Sequence, residues 1–148
     1  MGRIQIEMFC RNTVLNKNLI NQKTEIIIGT SFEVMNELGS GFLESVYHQS
    51  FAIALSKKGF EVQSEVSIVV SFRGHNVGNF KADLIIDKEI IVEIKAVPNI
   101  IGAHKAQIIN YLVASGLQVG LIINFGNPKV EVARLSNPNM IADQDFKK

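Results

Sequence analysis

The chain has 148 residues, of which 47% are hydrophobic and 20% charged, and this composition predicts one globular domain rather than a disordered or fibrous protein. Its formal net charge is only +1, so the composition shows no chain-wide basic surface for nucleic-acid phosphates. The single cysteine, Cys10, excludes an internal disulfide and a cysteine-based zinc site. Because a signal-peptide pattern and a long apolar run are both absent, we expect a cytoplasmic protein with no membrane partner.

Hydrophobic periodicity predicts the elements in chain order. Residues 1–22 show little periodicity and are predicted to form a flexible N-terminal arm. The predicted helices and strands that follow are helices at 23–38 and 42–58, strands at 60–72, 80–86 and 90–97, a helix at 102–115, and strands at 117–125 and 130–135. A polar tail at 137–148 ends the chain. We therefore expect an α/β domain over residues 23–136 with the order ααβββαββ.

Three charged residues interrupt the otherwise apolar second and third strands. Glu93 and Lys95 are two residues apart and therefore point to the same side of their strand. Asp83 lies on the preceding strand. A three-residue loop at 87–89 would place Asp83 directly opposite Glu93, whereas a two-residue loop would place them on opposite faces of the sheet.

Two facing carboxylates in a half-buried setting repel each other unless a positive charge joins them. Lys95 is one candidate, and a hard divalent cation with oxygen ligands, Mg²⁺ or Mn²⁺, is another. Such a cation would activate a water molecule, while the ammonium group of Lys95 would orient or polarise the nucleophile. The alternative is an ordinary edge hairpin with solvated charges, because Asp…Glu-x-Lys is a common spacing.

Polar residues on two predicted helices extend this hypothesis. Glu44 and Tyr47 are three residues apart at the start of the second helix. His104, Gln107 and Tyr111 form an i, i+3, i+7 line on the later helix, which would adjoin the strand of Glu93 and Lys95. The alternative for the first pair is a solvent-exposed glutamate beside a core tyrosine. The alternative for the line on the later helix is an ordinary solvent-exposed helix face.

Five short motifs together resemble the GxxExxY protein family, which is placed in the PD-(D/E)XK nuclease superfamily. They are Gly-x-x-Glu-x-x-Tyr at 41–47, Ala-Asp at 82–83, Glu-x-Lys at 93–95, His-x-Ala-Gln at 104–107 and Gly-Leu-Ile-Ile-Asn-Phe-Gly at 120–126. The resemblance covers about residues 24–135. It implies a restriction-endonuclease-like αβββαβ core, in which helices flank a central mixed sheet.

The resemblance also implies roles for individual residues. Asp83 and Glu93 would be metal ligands and catalytic residues, Lys95 the catalytic lysine, and Glu44 an additional acidic ligand. Gln107 and Tyr111 are similar to the Gln-x-x-x-Tyr element of the RecB-like branch, which supports the site or contacts DNA. The other motif residues given a supporting or substrate-contacting role are Tyr47 and His104. Two departures from the family pattern are Ala82 in place of proline and Lys81 where relatives often have arginine.

The resulting functional hypothesis is an Mg²⁺- or Mn²⁺-dependent nuclease that hydrolyses phosphodiester bonds of DNA, or of RNA, by a metal-activated water. The alternative is a non-catalytic module that retains the nuclease fold and binds nucleic acid or a protein. A homodimer would meet both strands of a duplex more easily than a monomer. Since the net charge is close to zero, attraction to nucleic acid would have to be local and metal-dependent.

Overall fold

The architecture comes from a computed structural model that describes residues 2–140, with side chains from residue 17 onwards. The elements are α1 (Gly2–Leu38), α2 (Glu44–Lys57), β1 (Val62–Phe72), β2 (His75–Ile86), β3 (Ile90–Lys95), α3 (Gly102–Ser115), β4 (Val119–Asn124) and β5 (Glu131–Ser136). The predicted ααβββαββ order is confirmed. Within residues 2–140, no helix is both long and apolar enough to cross a membrane.

The five strands form one sheet in the order β1-β2-β3-β4-β5. Strands β3 and β4 are parallel, as expected for strands joined through a helix, and the other neighbours are antiparallel. Helices α1 and α2 cover one face, where Tyr47 and Phe51 pack with Val92. Helix α3 covers the other face, where Ile108 packs with Ile91. The predicted mixed sheet flanked by helices is therefore confirmed.

Strands β1 and β2 form a hairpin that is longer than predicted. Their pairing runs from Val62 with Ile86 to Phe72 with His75, so β2 begins at His75 and not at residue 80. The turn is shortened to Arg73 and Gly74, which both have positive φ as a two-residue hairpin turn requires. The β2–β3 ladder extends only as far as Leu84, and the outer part of the hairpin projects beyond β3.

Strand β2 rotates close to Asp83, so that residues two apart point to opposite faces of the sheet. Leu84 packs in the cluster beneath α1 and α2, whereas Ala82 packs in the cluster beneath α3. Residues two apart in a regular strand share a face, so β2 must rotate between these two positions. Glu65 of β1 lies at the same level, between the pairs Ser64–Leu84 and Val66–Ala82, and has a φ of 51°. This left-handed residue marks the rotation, which turns the outer hairpin towards α3.

Helix α1 begins at Gly2, well before the predicted start at Lys23. Ile20 is buried, and Asn21 Oδ1 accepts a hydrogen bond of 2.6 Å from Arg134 Nη2, so residues of the predicted N-terminal arm contact the sheet domain. Asn137, the first residue of the predicted tail, is also buried, and its Nδ2 donates to Leu112 O. Residues 141–148 and the side chain of Cys10 lie outside the described part of the chain. The division into an N-terminal arm, a domain and a C-terminal tail stays a prediction.

Candidate active site

The β2–β3 connection places the two central carboxyl groups opposite each other. Leu84 pairs with Val92 and Ile86 with Ile90, across a loop of three residues at 87–89. The next position of this register aligns Asp83 with Glu93. Of the two loop lengths considered from the sequence, the three-residue loop is therefore confirmed.

Asp83 and Glu93 replace the main-chain ladder with a pair of side-chain hydrogen bonds. Asp83 N–H donates to Glu93 Oε1 at 3.0 Å, and Ile94 N–H donates to Asp83 Oδ2 at 2.8 Å. These two bonds from main-chain amides fix the orientation of both carboxyl groups. The second oxygen of each carboxyl, Asp83 Oδ1 and Glu93 Oε2, takes no part in these two bonds.

The environment of Glu93 favours its protonated form. The side chain is only 4% exposed. Burial, followed by the negative charge of Asp83, raises the pKa of Glu93 to about 8, although the Asp83 amide and the charge of Lys95 act in the opposite direction. Without a bound cation, burial and the neighbouring Asp83 therefore favour a proton on the Glu93 carboxyl.

Two residues of α3 adjoin the carboxyl pair. Tyr111 is buried, and its pKa is raised by that burial and then by the charges of Glu93 and Asp83. The neighbouring side chain of Gln107 acts in the opposite direction and lowers the pKa of Tyr111. The structure thus brings together Asp83, Glu93 and Lys95 of the sheet with Gln107 and Tyr111 of α3.

His104 instead shapes the first turn of α3. Its Nδ1 accepts a hydrogen bond of 3.1 Å from Ile101 N–H, and the main-chain N–H of His104 donates to Ile101 O. The N-terminal amides of a helix lack intrahelical acceptors, so this side chain satisfies a donor at the start of α3. His104 has a capping role, which supports the helix carrying Gln107 and Tyr111.

Tyr47 belongs to the core and not to a substrate-contacting surface. Its ring is fully buried and stacks on Phe125, with centroids 4.8 Å apart and planes inclined by 3°. Its hydroxyl donates to Gly39 O at 2.7 Å and accepts a bond of 3.3 Å from Phe42 N–H. Because it has no exposed surface, Tyr47 acts by holding the loop at 39–43, which leads into α2.

Glu44 is exposed at the first position of α2 and does not complete a cluster with Asp83 and Glu93. Among the residues whose side chains are described, no group of three His, Cys, Asp or Glu is arranged to bind a metal ion. The predicted three-carboxylate set is therefore not assembled. Helix α2 packs on the face that carries Val92 and Ile94, whereas Glu93 alternates with them and points towards α3.

Asn124 is a positioning residue whose role the motif at 120–126 does not predict. It is fully buried at the end of β4, where Oδ1 accepts from Val97 N–H at 3.0 Å and Nδ2 donates to Val97 O at 2.9 Å. Phe125 N–H also donates to Lys95 O at 2.8 Å. The chain after the Glu93–Lys95 segment is thus fastened to β4. The available signal was a single amide side chain inside a long apolar run.

Comparison with known proteins gives a family and a fold. The family model described as the PD-(D/E)XK nuclease superfamily matches residues 21–135, whereas no curated protein matches significantly. The crystal structure of SSO0001 is similar, with a TM-score of 0.53 and 19% identity, over 70% of this chain and 58% of that chain. This likeness shows the fold, and the predicted restriction-endonuclease-like core is confirmed.

A more distant likeness is to an alkaline exonuclease (LHK-Exo) from Laribacter hongkongensis, with a TM-score of 0.47 and 12% identity, over 67% of this chain and 59% of that chain. This chain spans less than two thirds of the length of either protein. Membership of the GxxExxY family stays a prediction. The match over residues 21–135 covers most of the sequence, and the chain belongs to the PD-(D/E)XK nuclease superfamily.

Proposed function

We propose that this chain is a metal-dependent nuclease that hydrolyses phosphodiester bonds of nucleic acid, with DNA favoured over RNA. The observation that carries the proposal is the hydrogen-bonded pair of Asp83 and Glu93, with Lys95 on the same side of β3. This pairing supports a functional centre rather than solvated surface charges, because Glu93 is buried at a cost that an ordinary edge hairpin would not carry.

The donor set fits a hard divalent cation. Asp83 and Glu93 offer only oxygen ligands, and Mg²⁺ in proteins is commonly held by one or two carboxylates, with water and substrate phosphate filling the other positions. We propose that these two residues hold Mg²⁺ or Mn²⁺ and that Glu44 lies outside the ligand set. When bound, the cation would supply an activated water and neutralise charge on the phosphate.

The neighbouring side chains supply positioning and charge. The ammonium group of Lys95 would orient the attacking water or stabilise negative charge developing on a phosphate oxygen. Tyr111 keeps its hydroxyl proton, since its pKa is raised, and it is therefore suited to donate a hydrogen bond. Gln107 is exposed next to that hydroxyl and is placed to contact the nucleic-acid backbone.

A non-catalytic module that binds nucleic acid or a protein is the second candidate. It is favoured by one observation, which is the lack of a three-ligand metal cluster among residues 17–140. A cytoplasmic location and a homodimer stay predictions under both candidates. Size-exclusion chromatography with light scattering measures the oligomeric state directly.

Cleavage of a substrate panel separates the two candidates. The full chain is incubated with single- and double-stranded DNA and RNA in Mg²⁺ or Mn²⁺, and the products are resolved by electrophoresis. We expect cleavage of at least one substrate, and a rate lowered about a hundredfold or more by Asp83→Asn, which retains an acceptor for Ile94 N–H but loses the charge.

Glu25→Gln is the matched control, because Glu25 is exposed on α1, and it should cleave like the wild type. Absence of cleavage of every substrate, or equal cleavage by Asp83→Asn and the wild type, would reject the proposed nuclease centre.

A further inference from the structure

The outer part of the β1–β2 hairpin forms an arm, residues 66–82, that projects past β3. The arm contains Arg73, His75 and Lys81 and no aspartate or glutamate. It also exposes four large apolar side chains, which are Val69, Phe72, Val77 and Phe80. Exposed apolar groups next to basic residues indicate a binding surface, because isolated solvent exposure of so many large apolar groups is unfavourable.

Phe80 links this arm to the candidate active site. It pairs with Ile68 in the register, and its ring centroid lies 5.3 Å from that of Tyr111. Tyr111 in turn lies near enough to Asp83 and Glu93 for their charges to affect its hydroxyl. An aromatic ring that is 39% exposed therefore stands at the margin of the carboxyl pair.

The chemistry of the arm fits a nucleic-acid strand whose bases are unpaired. Exposed aromatic rings bind such strands by stacking on base faces, and a base in a duplex has its faces covered by its neighbours. Lys81 follows Phe80 in β2 and points to the other face of the strand, where it is exposed and adds positive charge to the arm for backbone phosphate. At the tip, Arg73 lies over the Phe72 ring at 5.0 Å, which places a second charge beside a second aromatic ring.

We propose that the arm binds an unpaired strand of DNA or RNA, with Phe80 stacking on a base next to the phosphate at the carboxyl pair. This inference rests on the proposed nuclease function and specifies its substrate as single-stranded or locally unpaired. A second copy of this chain is a poorer occupant. Two arms that carry basic residues and no acidic residue would repel each other.

The test is binding of the full chain to fluorescein-labelled oligonucleotides in EDTA, measured by fluorescence anisotropy. We expect the wild type to bind a single strand more tightly than a duplex of the same sequence. Phe80→Leu, which keeps apolar packing against Tyr111, should weaken single-strand binding about tenfold, and Phe80→Trp should restore it.

Phe32→Leu is the matched control, because Phe32 is also 39% exposed but lies on α1, across the sheet from α3. It should bind like the wild type. Thermal unfolding monitored by circular dichroism verifies that each variant is folded.

The inference is overturned if the wild type binds duplex as tightly as single strand, or if Phe80→Leu and Phe32→Leu behave alike. It is also overturned if Phe80→Leu dissociates a dimer without changing oligonucleotide affinity, because the arm would then be an interface between copies. Cleavage of the same oligonucleotides in Mg²⁺ is measured in parallel. Cleavage without strand preference rejects only the arm, and strand-selective binding without cleavage rejects only the nuclease centre.

Discussion

Glu93 combines two properties that rarely occur together in a carboxyl group. Its Oε1 accepts a hydrogen bond from Asp83 N–H, which stabilises the ionised form, and its burial beside Asp83 disfavours that form more strongly. The balance raises the pKa of Glu93 and favours its protonated form. A cation held by the pair would replace that proton, so metal binding at this site should be coupled to proton release.

The raised pKa of Glu93 predicts an unusual pH dependence of stability. Between its ordinary pKa of 4.5 and its value of about 8 in the fold, the folded chain holds a proton that the unfolded chain has lost. The contribution of Glu93 to the free energy of unfolding should therefore fall as the pH rises through this window, by up to about 5 kcal/mol in total. Urea unfolding of the metal-free chain at several pH values measures the slope.

Glu93→Gln should remove this decline, because glutamine does not titrate, and Glu25→Gln should retain it. The same pH dependence in the wild type and in Glu93→Gln would show that the buried carboxyl is not its source.

The grouping of three charged strand residues could be predicted from the sequence, whereas the face of the sheet that each helix covers could not. Asp83, Glu93 and Lys95 are charged residues inside apolar strands, and a two-residue period places Glu93 and Lys95 together without further information. Glu44 and Tyr47 lie on a helix whose periodicity does not reveal which face of the sheet it covers. The structure packs that helix on the face opposite α3, and Glu44 does not form a three-carboxylate metal group with Asp83 and Glu93 among the described residues.

At the level of elements, the connection between β3 and α3 depends on its contact with the end of β4. Gly126 lies where a Cβ atom would come within 2.0 Å of Val97 O, which is main chain and has little freedom to move. Gly126→Ala should therefore destabilise the fold by about 3 kcal/mol or more, or prevent folding, and displace the segment that follows Lys95. Thermal or urea unfolding gives the loss.

The control for that substitution is Gly29→Ala in α1. No atom lies within 4 Å of a Cβ built there, and alanine is favoured over glycine inside a helix, so the variant should be unchanged or up to about 1 kcal/mol more stable. Equal stability of Gly126→Ala and the wild type would contradict the close packing of Gly126 on Val97.

The β1–β2 hairpin shows where prediction from a pattern ends. Alternating apolar residues predict that it exists. The length of the β2–β3 loop stays open between two and three residues from the sequence, and the strand pairing gives three. The rotation at Glu65 was not predictable, because a glutamate gives no signal for a left-handed φ. Residues 75–79 lie outside the predicted strands, yet they are part of β2 and continue its pairing with β1.

On the scale of the whole molecule, the sheet separates the side that carries the candidate active site from the side that carries the main apolar core. Glu93, the base of the arm and Tyr111 of α3 lie on one side of the sheet. The other side is the main apolar core beneath α1 and α2. The formal net charge of +1 gives little long-range attraction for a polyanion. Under the proposed function, we therefore expect nucleic acid to bind locally, at the basic arm without a cation and also at the carboxyl pair when a cation is bound.

Isothermal titration of Mn²⁺ into the full chain at neutral pH tests most directly whether Asp83 and Glu93 form a metal-dependent centre. We expect saturable binding of roughly one or two ions per chain in the wild type and in Glu25→Gln, and loss of that binding in Asp83→Asn. Absence of saturable binding in the wild type, or an unchanged isotherm in Asp83→Asn, would contradict the assignment of this pair as the active centre.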